Sequence, residues 1–130
     1  MTNESLSVTS ISLSLTANDI DRSLAWYTDV LGFTIDQKHE REGTMVAVSL
    51  KAGDARIVLG RDDGAKGLNR VKGAGCSMMF TTTQDIDALA QRIKAAGGAL
   101  LTEPETAPWG PRLFRIADPD GFTFVFSSPR

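Results

Sequence analysis

The feature that most constrains this chain is an internal echo. The stretch from Ser10 to Phe33, SISLSLTANDIDRSLAWYTDVLGF, returns 66 positions later as CSMMFTTTQDIDALAQRIKAAGGA, Cys76 to Ala99. At that offset Thr16 meets Thr82, Asp19-Ile20-Asp21 meets Asp85-Ile86-Asp87, and Gly32 meets Gly98. A unit of nearly half of 130 residues, present twice, predicts two like modules packed into a single domain covering 1–130. Module one is expected over about 8–60, a linker over 61–75, and module two over 76–127.

Within each module the residue periods name the elements. Ser10, Ser12, Ser14 and Thr16 alternate with Ile11, Leu13 and Leu15, the period of two that marks a strand with one packed and one wetter face. Asn18 or Asp19 is placed to cap a helix, and Ile20, Leu24, Tyr27 and Leu31 form one apolar stripe along it before Gly32 stops it. Three strands follow, Phe33 to Arg41, Thr44 to Leu50 and Asp54 to Leu59, with Glu42-Gly43 and Ala52-Gly53-Asp54 as turns. Module two repeats the order: strand Cys76–Thr83, helix Asp85–Ala96 with the Gly97-Gly98 stop, then strands Ala99–Glu103, Arg112–Ile116 and Phe122–Phe126. The last two strands are joined by ADPDG, an Asp-Pro-Gly turn. The fold class is therefore α+β: two tandem βαβββ modules forming a curved, cleft-bearing mixed sheet with helices on its outer face.

Composition removes several function classes. A net charge of −2 with interspersed signs gives no electrostatic footprint for nucleic acid or an anionic membrane. The Gly-rich linker RDDGAKGLNRVKGAG lacks the Gly-Lys-Ser/Thr ending of a phosphate loop. Cys76 is the only cysteine, and the opening MTNESLSVTS has neither a basic nor an apolar signal region, so a cytoplasmic location is expected. No apolar run approaches the roughly 20 residues that span a bilayer.

Three segments, DIDRSLAWYTDVLGF (19–33), QDIDALAQRIKAAGG (84–98) and WGPRLFRIADPDGF (109–122), resemble the vicinal oxygen chelate superfamily. That group includes glyoxalase I, extradiol dioxygenases, fosfomycin-resistance enzymes and bleomycin-resistance proteins. The likeness runs from about Val8 to Phe126. It implies a divalent metal in the cleft, held by His or Glu near the middle of the first and last strands of each module. Counting from the shared motifs puts Ser12, Leu59, Met78 and Val125 at those positions, and none is an ordinary ligand for such an ion. His39 is the sole histidine, so a two-histidine site within one subunit is impossible. No metal and no cofactor are expected.

The cleft lining projected from the repeat combines Ser10, Ser12, Ser14, Leu59, Met78, Phe80 and Val125, an apolar pocket with a row of hydroxyls. Leu59 and Val125 serve equally as simple packing. Trp109, on the EPETAPWGP loop, either stacks on a planar ligand or lids the core. Arg112 and Arg115 lie on opposite faces of one strand, and parity does not choose which meets the cleft. The candidate ligand residues are thus Ser12, Ser14, Leu59, Met78, Phe80, Trp109, Arg112 and Val125, with no catalytic residue assigned. The resemblance implies a metal-free, bleomycin-resistance-like protein that sequesters a hydrophobic or aromatic compound, as a homodimer whose interface completes the cleft. The alternative is a glyoxalase-like lyase, isomerase or dioxygenase using a metal or an acid–base pair not evident in the sequence. An interaction module holding a peptide on its concave face is a third reading.

Overall fold

The computed structural model describes residues 5–65, 67 and 72–129. Module one runs β1 (Leu13–Ala17), α1 (Ile20–Ala25) continued by a π-helical segment (Trp26–Leu31), β2 (Thr34–Arg41), β3 (Thr44–Ala52) and β4 (Ala55–Arg61). Module two runs β5 (Ser77–Thr81), α2 (Ile86–Ala95), β6 (Leu100–Thr106), β7 (Arg112–Ala117) and β8 (Thr123–Ser127). The expected order of elements is present in both. Boundaries move by up to three residues: β1 begins at Leu13, leaving Ser10 and Ser12 ahead of the strand, β5 ends at Thr81, and β3, β4 and β6 run on to Ala52, Arg61 and Thr106.

Each module makes its own four-stranded mixed sheet, in the orders β1-β4-β3-β2 and β5-β8-β7-β6. β1 pairs parallel with β4 and β5 parallel with β8, while the remaining ladders are antiparallel. The sheets stay separate, so β1 and β5 are both edge strands. Asp19 caps α1 through the Arg22 amide, and Asp85 caps α2 through the Ala88 amide. The first helix widens where the Thr28 hydroxyl donates back to the Leu24 and Ala25 carbonyls, a side-chain intrusion of the kind that loosens the regular ladder.

One apolar core serves both modules. Leu15, Tyr27, Val48, Leu50, Ile57 and Leu59 from module one join Met78, Ile93, Phe114, Ile116, Phe124 and Phe126 from module two. Tyr27 is the hinge of this packing, with its ring edge-on to Phe33 at 5.7 Å and to Phe124 at 5.8 Å between centroids. Edge-to-face pairs of this sort add to simple area burial.

Polar contacts tie the same seam. The buried Tyr27 hydroxyl donates to Asp118 at 2.7 Å, and Asp120 accepts from the Ser23 hydroxyl and the Asn18 amide. Asp118 also accepts the amides of Asp120 and Phe122, so the ADPDG turn is built around it. In the stretch expected to be a linker, Asp62 and Lys72 form a buried ion pair at 3.2 Å, with Lys72 also donating to Asn18. Residues 66 and 68–71 of that linker, and the first four of the polar start, lie outside the described residues.

Candidate functional site

Strand register sorts the side chains into two faces. In module one Leu15 is opposite Leu59, Leu59 opposite Val48, and Leu50 opposite Ile57, the face packed under the helix. The other face carries two rows across the sheet. One is Ser14, Val58, Ser49 and Gln37; the next is Thr16, Gly60, Ala47 and His39. In module two the helix face carries Met78, Phe80, Phe124, Phe126, Phe114 and Ile116. Its helix-free face carries Met79, Val125, Arg115 and Thr102 in one row.

This corrects the projected lining. Ser14 is exposed on the helix-free face, but Leu59 is on the opposite side of the sheet, 1% exposed within the core. Met78 and Phe80 likewise belong to the helix side, whereas Val125 is on the helix-free side with Ala107 and Leu113. The reason is parity. Leu15 and Ala17 of β1 and Ile57 and Leu59 of β4 face the core at odd positions, whereas Met78 and Phe80 of β5 and Phe124 and Phe126 of β8 face it at even ones, so the even offset of 66 that aligns the helices joins opposite faces of the strands. In a strand, a one-residue slip turns every side chain to the other face.

The remaining candidates are placed as follows. Ser12 is exposed ahead of β1. Trp109 is 53% exposed on the β6–β7 loop, which folds back through Ala107 accepting the Gly110 amide and donating to the Pro111 carbonyl. Since Ala107 packs on Val125 and Leu113, this loop covers the end of module two's helix-free face. Arg112 points to the helix side, where its guanidinium makes two bonds to Asp87 at 2.6 and 2.8 Å. That pairing holds the Asp87 carboxyl below the ordinary range and raises the guanidinium. Arg115 is the arginine of the helix-free face, in the row with Val125 and 3.9 Å from Glu105.

The seam between the edge strands forms an open cavity of about 440 Å³. Its walls are Leu13 and the preceding Ile11 from module one, and Met78, Met79 and Phe80 from module two, with Arg56 and Thr81 among the polar groups. Met79, 63% exposed, belongs both to this cavity and to the row with Val125 and Arg115. Met78 and Phe80 therefore do meet a cavity, though from the core side. Ile11, Leu13 and Met79 were missed by sequence reasoning; the alternation that placed Ser12 and Ser14 on one face carried the signal for Ile11 and Leu13 on the other.

The four family-type ligand positions do not converge. Ser12 is outside the strand, Leu59 and Met78 face the core, and Val125 faces away from it. Among the described residues, no group of three or more His, Cys, Asp or Glu side chains is arranged to hold a metal ion. The donor set does not fit a divalent cation. His39 stands exposed on edge strand β2. No helix is long and apolar enough to cross a membrane among the described residues.

Comparison with known proteins agrees with this architecture. Residues 9–126 match the Glyoxalase/Bleomycin resistance protein/Dioxygenase superfamily. The curated Lactoylglutathione lyase GLX1 of Arabidopsis thaliana is 25% identical over 112 residues, 82% of this chain. The chain spans 39% of that relative's length. Among solved structures, TioX from Micromonospora sp. ML1 superposes with a TM-score of 0.76 at 23% identity, covering 93% of this chain and 98% of TioX. A superfamily member from Sphaerobacter thermophilus gives a TM-score of 0.72 at 24% identity, covering 94% of this chain and 98% of that one. At such identities the structural likeness speaks for the fold alone.

Proposed function

We propose, from the premise that the chain belongs to the Glyoxalase/Bleomycin resistance protein/Dioxygenase superfamily, that it binds an apolar or aromatic small molecule without a metal and without transforming it. The observation that carries this reading is the seam cavity of about 440 Å³, whose walls are aliphatic, thioether and aromatic groups. Sites for drug-sized ligands typically occupy about 300–1,000 Å³ with mostly apolar walls and a few polar groups. Methionines suit such walls because an unbranched thioether repacks around different shapes.

From the seam the ligand extends over Met79 toward Val125, Arg115 and the Trp109 loop on the helix-free face. Ser14 of β1 and Ser12 just ahead of it offer hydroxyls, while Leu59 and Arg112 act from behind, by packing and by the Asp87 pair. The site opens to solvent, and Ile11 is 74% exposed beside it. A second copy of the chain covers these apolar groups, so the working unit is a homodimer with the cleft completed across its interface, in the cytoplasm.

The test is a panel of planar natural products read by melting temperature and tryptophan emission. Binders should raise the melting point, quench emission, and bind more weakly to Trp109→Ala. A panel without effect on either signal rejects sequestration.

The similarity to lactoylglutathione lyase favours a second reading, a lyase or isomerase of the same superfamily. It requires an acid–base group, and His39 on the helix-free face of module one is the one imidazole available. Elemental analysis finding stoichiometric zinc, nickel, manganese or iron in the purified protein replaces the first reading with this one.

A further inference from the structure

A different cavity, of about 670 Å³, lies on the helix side between the modules. Its floor is aromatic: Phe80 stands 6.3 Å from Phe33 and 5.7 Å from Phe126 between ring centroids. Phe33 and Phe126 are buried, so these rings hold fixed positions rather than adapting to solvent. The rim is polar. It carries the hydroxyls of Thr81, Thr82 and Thr83 and the amide of Gln84 on one side, and Asp54 of the β3–β4 turn on another.

Arg92 supplies a cation. Its guanidinium lies against Gly32, where a Cβ would stand 3.2 Å from one terminal nitrogen, and donates to the Leu31 carbonyl at 2.8 Å. That bond caps the carboxyl end of the first helix, whose dipole favours a positive charge there. A guanidinium carries five N–H donors in a planar fork, and the cap is the one protein acceptor recorded for it among the described residues. Donors remain for a ligand oxygen.

We propose that this cavity is a second ligand site, selecting a flat aromatic monoanion such as an aryl carboxylate or sulfonate. The ring lies on Phe33, Phe80 and Phe126, the anionic oxygens meet the free edge of Arg92, and the threonine hydroxyls take the remaining polar atoms. Asp54 in the opposite wall opposes a second negative charge, which sets the selectivity for one charge over two. Ala55, Phe80 and Thr81 line both this cavity and the seam, while Arg92, Asp54, Phe33 and Phe126 belong to this one and Met79 to the seam.

The experiment is a fluorescence titration of the full chain with anilinonaphthalene sulfonate and, in parallel, with its neutral analogue phenylnaphthylamine. Arg92→Gln should weaken the sulfonate roughly tenfold, the loss of a charge-assisted hydrogen bond, and leave the neutral analogue unchanged. Asp54→Asn should tighten the sulfonate about two- to fivefold by removing a like charge near the rim. Met79→Asp, at the seam, should leave the sulfonate unaffected. If Arg92→Gln lowers the melting temperature enough to confuse the titration, the opposite-signed Asp54→Asn effect decides. Sulfonate affinity indifferent to both Arg92→Gln and Asp54→Asn, or abolished by Met79→Asp, overturns the proposal.

Discussion

The two modules share a motif but solve the same packing problem with different parts. Module one has a six-residue α-helix that widens into a π-helical segment, whereas module two has a regular ten-residue helix. Module one lines its helix face with Leu, Val and Ile; module two uses Phe80, Phe114, Phe124 and Phe126. The glycines after the helices also diverge. Gly32 and Gly97 are the left-handed pair, at φ 96° and 99°, while Gly98 is the residue aligned with Gly32 in sequence. Gly98 answers a different demand: a Cβ there would stand 2.5 Å from an Ile93 methyl and 2.8 Å from a Val30 methyl, so it lets the modules approach. Aligned residues in a duplicated unit need not do the same work, and the contact between units creates demands that neither unit has alone.

The strongest way to break this comparison is to treat the modules as independent. Phe124 packs on Tyr27 of module one and on Phe80 of module two, 5.8 and 5.4 Å away between centroids. Phe124→Ala should cost roughly 3–5 kcal/mol and lower a single cooperative transition followed by calorimetry. Two separate transitions, with module one unaffected, contradict a common core.

The glycine contrast gives a smaller and sharper effect. Gly98→Ala forces Ile93 and Val30 apart and should cost about 1–3 kcal/mol as an overpacked contact. Gly32→Ala and Gly97→Ala should each cost about 1–2 kcal/mol from left-handed backbone strain. The distinction is checked by adding Val30→Ala, which should relieve Gly98→Ala and leave Gly97→Ala as it was.

The Tyr27–Asp118 link tests the polar side of the seam. Tyr27→Phe leaves a buried carboxylate oxygen without its donor, at a cost of about 1–3 kcal/mol in chemical denaturation. Burial pushes the Asp118 carboxyl above the ordinary aspartate value, against the bonds from Tyr27, Phe122 and Asp120 that favour ionisation. A carboxyl raised on folding contributes stability that is fully present below its unfolded pKa and lost as pH rises through its folded one. The stability of the native protein relative to Asp118→Asn should therefore fall as pH rises from about 4 through the elevated folded pKa. An opposite slope contradicts burial as the dominant influence.

The smallest effect belongs to the pair outside the core. Asp87 and Arg112 meet at the exposed edge of module two, so Asp87→Asn should scarcely shift the melting temperature, and high salt should remove any difference. A marked loss would assign Arg112 a larger part in holding α2 to its sheet.

Most of the fold was legible because its signals are local. Asp19 and Asp85 as caps, the stripe Ile20, Leu24, Tyr27 and Leu31, and the ADPDG turn each name an element from a few adjacent residues. The site was less legible because face assignment accumulates every residue between two landmarks. An odd number of positions relates the core-facing strand residues of the two modules, so the even offset put Leu59, Met78 and Phe80 on the side opposite the one projected, while Val125 is on the helix-free side, buried with Ala107 and Leu113. Arg112 and Arg115 were separable by parity but needed the Asp87 contact to say which face was which. The buried Asp62–Lys72 pair had no local signal at all, since both lie in a charged, glycine-rich stretch.

The account rests on an apolar, metal-independent site at the seam. Its most direct test is a titration of chelator-treated protein with neutral phenylnaphthylamine, comparing the native chain with Met79→Asp. Binding that survives removal of divalent ions and weakens roughly tenfold when a charge is placed in the apolar wall is the result expected. Binding that requires an added divalent metal, or that ignores the change at Met79, contradicts it.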